Sequence, residues 1–115
     1  MTYDPQNIFA KILRKEISAR VFYEDETILA FFDIQPQAPM HLVIIPKAPI
    51  ISYDDFIKTH NDQEISRFFR SLHAVCQKAN AIYKGYRLVT NVGSYQEVPH
   101  FHFHLLLGGS SGAEL

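Results

Sequence analysis

One cysteine, no tryptophan and five glycines in 115 residues rule out several of the devices on which small chains rely. A lone Cys76 closes no intrachain disulfide and builds no cysteine-rich zinc site, which fits a reducing compartment. Charge of one sign is missing too. Eleven Lys and Arg stand against twelve Asp and Glu, a formal net charge of −1. That leaves no basic field to hold a nucleic-acid polymer by counterion release. No run approaches the roughly 20 apolar residues of a bilayer span, so no membrane partner is expected. The opening residues, Met1 to Pro5, lack the positive start and apolar stretch of a secretion signal. A cytoplasmic location is the expectation. Disorder is excluded by 47% hydrophobic residues at this low net charge. The length allows one domain over residues 1–115.

Asp4 followed by Pro5 reads as an N-cap and first helical position, and Ile8, Phe9, Ile12 and Leu13 recur at helical spacing. A short helix over residues 5–14 is expected. Residues 20–24 and 27–33 are rich in β-branched and aromatic side chains and read as a hairpin around Glu24-Asp25-Glu26. The two prolines of residues 35–39 mark a loop, and residues 41–45 a third strand. A long helix over residues 62–83 starts with Asn61 and Glu64 as a capping box, carries one apolar face from Ile65 to Tyr83, and closes at Gly85. Residues 86–92 and 100–107 complete the strands, and the tail from Gly108 to Leu115 is expected to fray. The order of elements implies an α+β fold, a five-stranded, mostly antiparallel sheet with one short N-terminal and one long helix.

Six histidines are many for this length, and three fall within five residues: His100-Phe101-His102-Phe103-His104. In a strand they share one face, with Phe101, Phe103 and Leu105 on the other, about 6.5–7 Å between successive imidazoles. A wet sheet face accounts poorly for them, because Thr, Lys or Glu serves equally well there. A zinc site is a second reading, with His41 as a third ligand. However, His100 and His104 lie about 13 Å apart along a strand, and no Asp or Glu occupies the three positions after His104. The favoured reading is nucleophilic and acid–base chemistry on an anionic substrate, since imidazole titrates near neutral pH and attacks phosphorus.

His100 through Leu106 resembles the His-φ-His-φ-His-φ-φ signature of the histidine triad (HIT) family, φ being apolar. Nearly the whole chain is similar: residues 8–17 resemble the opening helix, and Phe32-Asp33-Ile34, Pro36 to Pro39 and His41 the nucleotide-binding strand and loop. Gln96, Val98 and Leu107-Gly108-Gly109 resemble the family's phosphoramidase branch. The resemblance implies a HIT-like fold whose sheet continues across a homodimer, and a purine nucleoside monophosphate site. It further implies P–N hydrolysis of purine nucleoside 5'-monophosphoramidates through a nucleotidyl-histidine, with no cofactor required. His102 would be the nucleophile, His104 a proton donor to the departing amine, and His100 and His41 would support the nucleophile and pass protons. Asp33 would take the ribose hydroxyls; Ile8, Phe9, Ile12, Phe31, Phe32, Ile34 and Val43 would wall the base pocket; Asn91, Gln96, Glu97 and Val98 would face the phosphate. Tyr95 stands where many relatives have glycine, and Glu97 where some have a phosphate-contacting serine. The alternatives are a dinucleoside polyphosphate hydrolase with the same nucleophile, and a non-catalytic nucleotide- or zinc-binding regulatory protein.

Overall fold

In the computed structural model, which describes residues 2–109, strand alternation sorts the apolar residues onto two faces of one sheet. The strands are β1 (Val21–Glu24), β2 (Ile28–Phe32), β3 (Met40–Pro46), β4 (Tyr86–Val89) and β5 (Phe103–Leu107), all antiparallel in the order β1-β2-β3-β5-β4. Ile28, Ala30, Leu42, Ile44, Phe103, Leu105 and Leu107 point to one side. There they meet Phe68, Leu72, Val75, Cys76 and Ala79 of the long helix α3 (Asp62–Ala79). Leu29, Phe31, Val43 and Ile45 point to the other side and pack on Phe9 of the short helix α1 (Ile8–Leu13). This second face carries the histidines, because His41 and His104 share the parity of Val43 and Leu106. No helix among the described residues is long and apolar enough to cross a membrane.

The boundaries follow local chemistry. Helix α1 starts later than the Asp4-Pro5 pattern implies, because Asn7 is the cap: its side chain accepts the Ala10 N–H at 2.9 Å. Asp4 instead closes a turn on Gln6 N–H. The capping box of α3 is present as read, with both reciprocal bonds of Asn61 and Glu64 at 2.9 Å. Replacing Asn61 by Ala is expected to cost about 1 kcal/mol, measured by denaturant unfolding. Helix α3 ends four residues early, at Ala79, because Asn80 caps it and folds its side chain onto Gly85 N–H. A seven-residue helix α2 (Tyr53–Thr59) was not read from the sequence. Its signal is Ser52 three residues before Asp55, whose N–H the Ser52 hydroxyl accepts. Of the tail expected to fray, the portion beyond Gly109 lies outside the described residues.

Candidate active site

The β3–β5 register opposes Val43 to His104 and His41 to Leu106, which makes His41 and His104 diagonal neighbours on one face. Their rings meet, His41 Nε2 lying 2.9 Å from His104 Nδ1. Gln37 decides which nitrogen holds the hydrogen. Its backbone N–H can only donate, and it points at His41 Nδ1 at 3.0 Å. Neutral His41 therefore carries its hydrogen on Nε2 and donates it to His104 Nδ1. His104 in turn keeps its own hydrogen on Nε2. Asp33, just beyond β2, places Oδ2 3.4 Å from His41 Nε2 and accepts the Gln35 N–H on Oδ1 at 2.8 Å.

The same logic fixes the other two rings. The carbonyl of His100 only accepts, so at 2.7 Å it holds the hydrogen of His102 on Nδ1 and leaves Nε2 with a free lone pair. The Pro46 carbonyl, 2.9 Å away, holds the hydrogen of His100 on Nε2. His100 Nδ1 then accepts from the Tyr3 hydroxyl at 2.6 Å. Both ring nitrogens of His100 are thus engaged by groups outside the histidine array, and its link to His102 is its main-chain carbonyl. No hydrogen bond joins the His100 ring to another histidine ring among the described residues. Tyr3→Phe leaves a buried ring nitrogen without its donor and is expected to cost about 1–3 kcal/mol of stability, read from the denaturant midpoint.

The Phe9 ring stands edge-on to His102 with centroids 5.0 Å apart, and His104 does the same from the opposite neighbour, also at 5.0 Å. Burial pushes all four histidines below the ordinary imidazole range. For His100 it is the dominant cause, opposed by the bond to Pro46, and the value falls to about 4. For His104 the neighbouring His41 adds to the burial effect, while Asp33 and Glu97 oppose it. The neutral forms on which the hydrogen-bond assignments rest are therefore the stable ones at neutral pH.

A cavity of 530 Å³ opens beside this array, lined by Asp33, His41 and His104 together with Asn91, Tyr95 and Glu97. Asp33, His41 and His104 each offer a ligand atom, all within 4.8 Å of one another. Two imidazoles and a carboxylate suit a zinc-like ion. An ion there has to replace the hydrogen that His41 and His104 share. The carboxylate sought after His104 in the sequence comes instead from the end of β2, two strands away.

Residues 14–110 match the HIT domain family. The chain belongs to that family. A HIT-like protein of Azospirillum brasilense, described as uncharacterized, is 45% identical over 113 residues, 96% of this chain and 93% of its own. A purine nucleoside phosphoramidase of Escherichia coli strain K12 is 37% identical over 112 residues, again 96% and 93%. Among solved structures, a HIT family hydrolase from Clostridium thermocellum superposes with a TM-score of 0.78 at 36% identity, covering 96% of each chain.

Within this HIT fold the residues named from the sequence do not all converge. Asp33, His41, His104, Asn91 and Glu97 meet at the cavity; His102 is not part of its lining and stands edge-on to the His104 ring. Phe9, Phe31 and Val43 form the buried cluster on the histidine face, while Ile12 packs on its margin and lines a second cavity with Leu13 and Leu29. Ile8 and Ile34 are free surface, Ile34 at 92% exposure. Phe32 faces away from the site, packing with Phe22 under the Arg20 guanidinium, because successive strand residues cannot share a face. Gln96 does not line the cavity; its amide donates to the carbonyls of Ile51 and Val98 and so braces the loop, while Val98 packs on the α1 cluster. Tyr3 and Gln37 were missed. Tyr3 acts across 97 positions of sequence, and Gln37 acts through its main-chain N–H on His41 four residues on, which carries no side-chain signature.

Proposed function

We propose that this chain hydrolyses the P–N bond of purine nucleoside 5'-monophosphoramidates. The observation that carries the reading is a free ring nitrogen on His102 beside a ring N–H on His104, each fixed by a partner that permits no other arrangement. The relative from Escherichia coli, itself a purine nucleoside phosphoramidase, supports it.

In the reaction proposed, the bridging nitrogen of the substrate takes a proton from solvent. His102 Nε2 supplies the electron pair of a new N–P bond, and the P–N pair leaves on the neutral amine. The nucleotidyl-imidazole is then a cation, and the His100 carbonyl stabilises its Nδ1–H. Water attacks phosphorus next, the N–P pair returns to Nε2, and the nucleoside monophosphate departs with one proton released. One difficult substitution becomes two easier ones. His104 donates its Nε2–H to a phosphoryl oxygen as negative charge shifts onto it. A neutral imidazole gives up its last N–H only to a strong base, so we assign His104 this hydrogen bond in place of the proton transfer to the amine. Asp33 accepts from the ribose hydroxyls. The steps call on no metal or cofactor.

A dinucleoside polyphosphate fits less well, since its extra negative charge enters a cavity whose described lining has two carboxylates and neither lysine nor arginine. A metal-binding role is the second reading, favoured by the Asp33, His41 and His104 grouping. Incubation with an adenosine phosphoramidate separates the two. Release of AMP that survives EDTA supports the hydrolase; no AMP, with a stoichiometric metal that EDTA removes, overturns it. We further propose that a second copy pairs along the outer edge of β4, where Tyr86 and Leu88 stay exposed. Light scattering is expected to give twice the monomer mass.

A further inference from the structure

The cavity beside His104 is electrically one-sided. Asp33 and Glu97 both line it, its described lining includes no lysine or arginine, and its imidazoles are held neutral. The two carboxylates differ in what they are doing. Asp33 is engaged by Gln35 N–H and lies against His41. Glu97 makes no hydrogen bond or ion pair with any described residue. It is nevertheless well placed, on a connection between β4 and β5 that the Gln96 amide ties to Ile51 and Val98. An unpaired carboxylate beside an anionic phosphoryl group weakens binding, unless the substrate also brings a cation.

We propose that Glu97 selects the leaving group by charge, so that phosphoramidates whose amine carries a second, positively charged group are the preferred substrates. This rests on the phosphoramidase reading and deepens it, from any amine to an aminoalkyl amine. A cation on the departing group approaches the cavity from solvent and meets a net negative wall; a carboxylate on the same group meets repulsion. In an open cavity the attraction is partly screened, so the expected preference is roughly tenfold in kcat/KM between cationic and neutral leaving groups, and a similar step down to an anionic one. The preference shrinks at high ionic strength.

Three adenosine 5'-phosphoramidates of matched length test it, made from a diaminoalkane, an alkylamine and an amino acid with a free carboxylate. They are compared in wild type, Glu97→Gln and Glu97→Lys, at low and high salt. The readout is the ratio of kcat/KM between substrates within each variant, which a general loss of activity does not move. Expected is the order cationic, neutral, anionic in wild type, a clearly narrower spread in Glu97→Gln, where Asp33 alone remains, and a further loss of the preference in Glu97→Lys. Turnover of all three without that order, or an undiminished spread in Glu97→Gln, overturns the role of Glu97 and leaves the phosphoramidase reading standing. Turnover of none overturns the phosphoramidase reading, and this selection with it.

Discussion

His102→Ala is expected to lower AMP release from an adenosine phosphoramidate by about a thousandfold or more, with nucleotide binding retained. The reason is positional. His102 is the histidine whose Nε2 lone pair is left free, because the His100 carbonyl holds Nδ1–H in place. Burial pushes its protonation below the ordinary imidazole range, so the lone pair stays available at mildly acidic pH. No neighbour substitutes for it: His104 Nδ1 is turned toward His41, and both nitrogens of His100 are engaged. His104→Ala removes one hydrogen bond to the transition state and is expected to cost less, on the order of 10²-fold. Steady-state rates, with equilibrium binding of AMP measured separately, check both. Equal loss in the two variants contradicts the division of roles.

Acid is expected to unfold the protein unusually early, with His100 alone removing about 3 kcal/mol of stability between pH 7 and pH 4. His100 is fully buried and takes up a proton in the folded chain only near pH 4. Unfolded, it titrates at its ordinary value near 6.5. Above that value neither state binds the proton, and the full stability is present. Below it the unfolded chain gains a proton that the folded chain refuses, so stability falls as the pH drops toward 4. His41, His102 and His104 are shifted the same way and add to the slope. Denaturant unfolding at pH 7.5, 6, 5 and 4.5 measures it, and a flat profile over that range contradicts the buried neutral ring.

The parts legible in the sequence were those written in local periodicity. Apolar spacing and the Asn61–Glu64 pair announce α3; alternation from His102 onward separates His102 and His104 from the core residues Phe103 and Leu105. The same alternation, applied to Phe31 and Phe32, already forbids both from walling one pocket. It does not reach His100. The chain turns there, with His100 N–H on the Val98 carbonyl and Phe101 N–H on Ile50, so β5 begins only at Phe103. What joins distant elements was not legible. The Tyr3 hydroxyl on His100 and the meeting of Asp33 with His104 depend on how distant segments come together, whereas the Gln37 amide, four residues from His41, is placed by the conformation of the loop between β2 and β3. Helix α2 was missed because two turns carry too few apolar positions to show a period.

The central claim is a covalent bond between phosphorus and His102. Rapid quenching in alkaline denaturant during turnover of an adenosine phosphoramidate, followed by intact mass and peptide mapping kept at alkaline pH because the P–N bond is acid-labile, tests it most directly. The account expects a fraction of the chains to carry one added adenylyl group, located on His102 and absent from His102→Ala. Sustained AMP release with no adduct at any quench time, or an adduct on His41, His100 or His104, contradicts it.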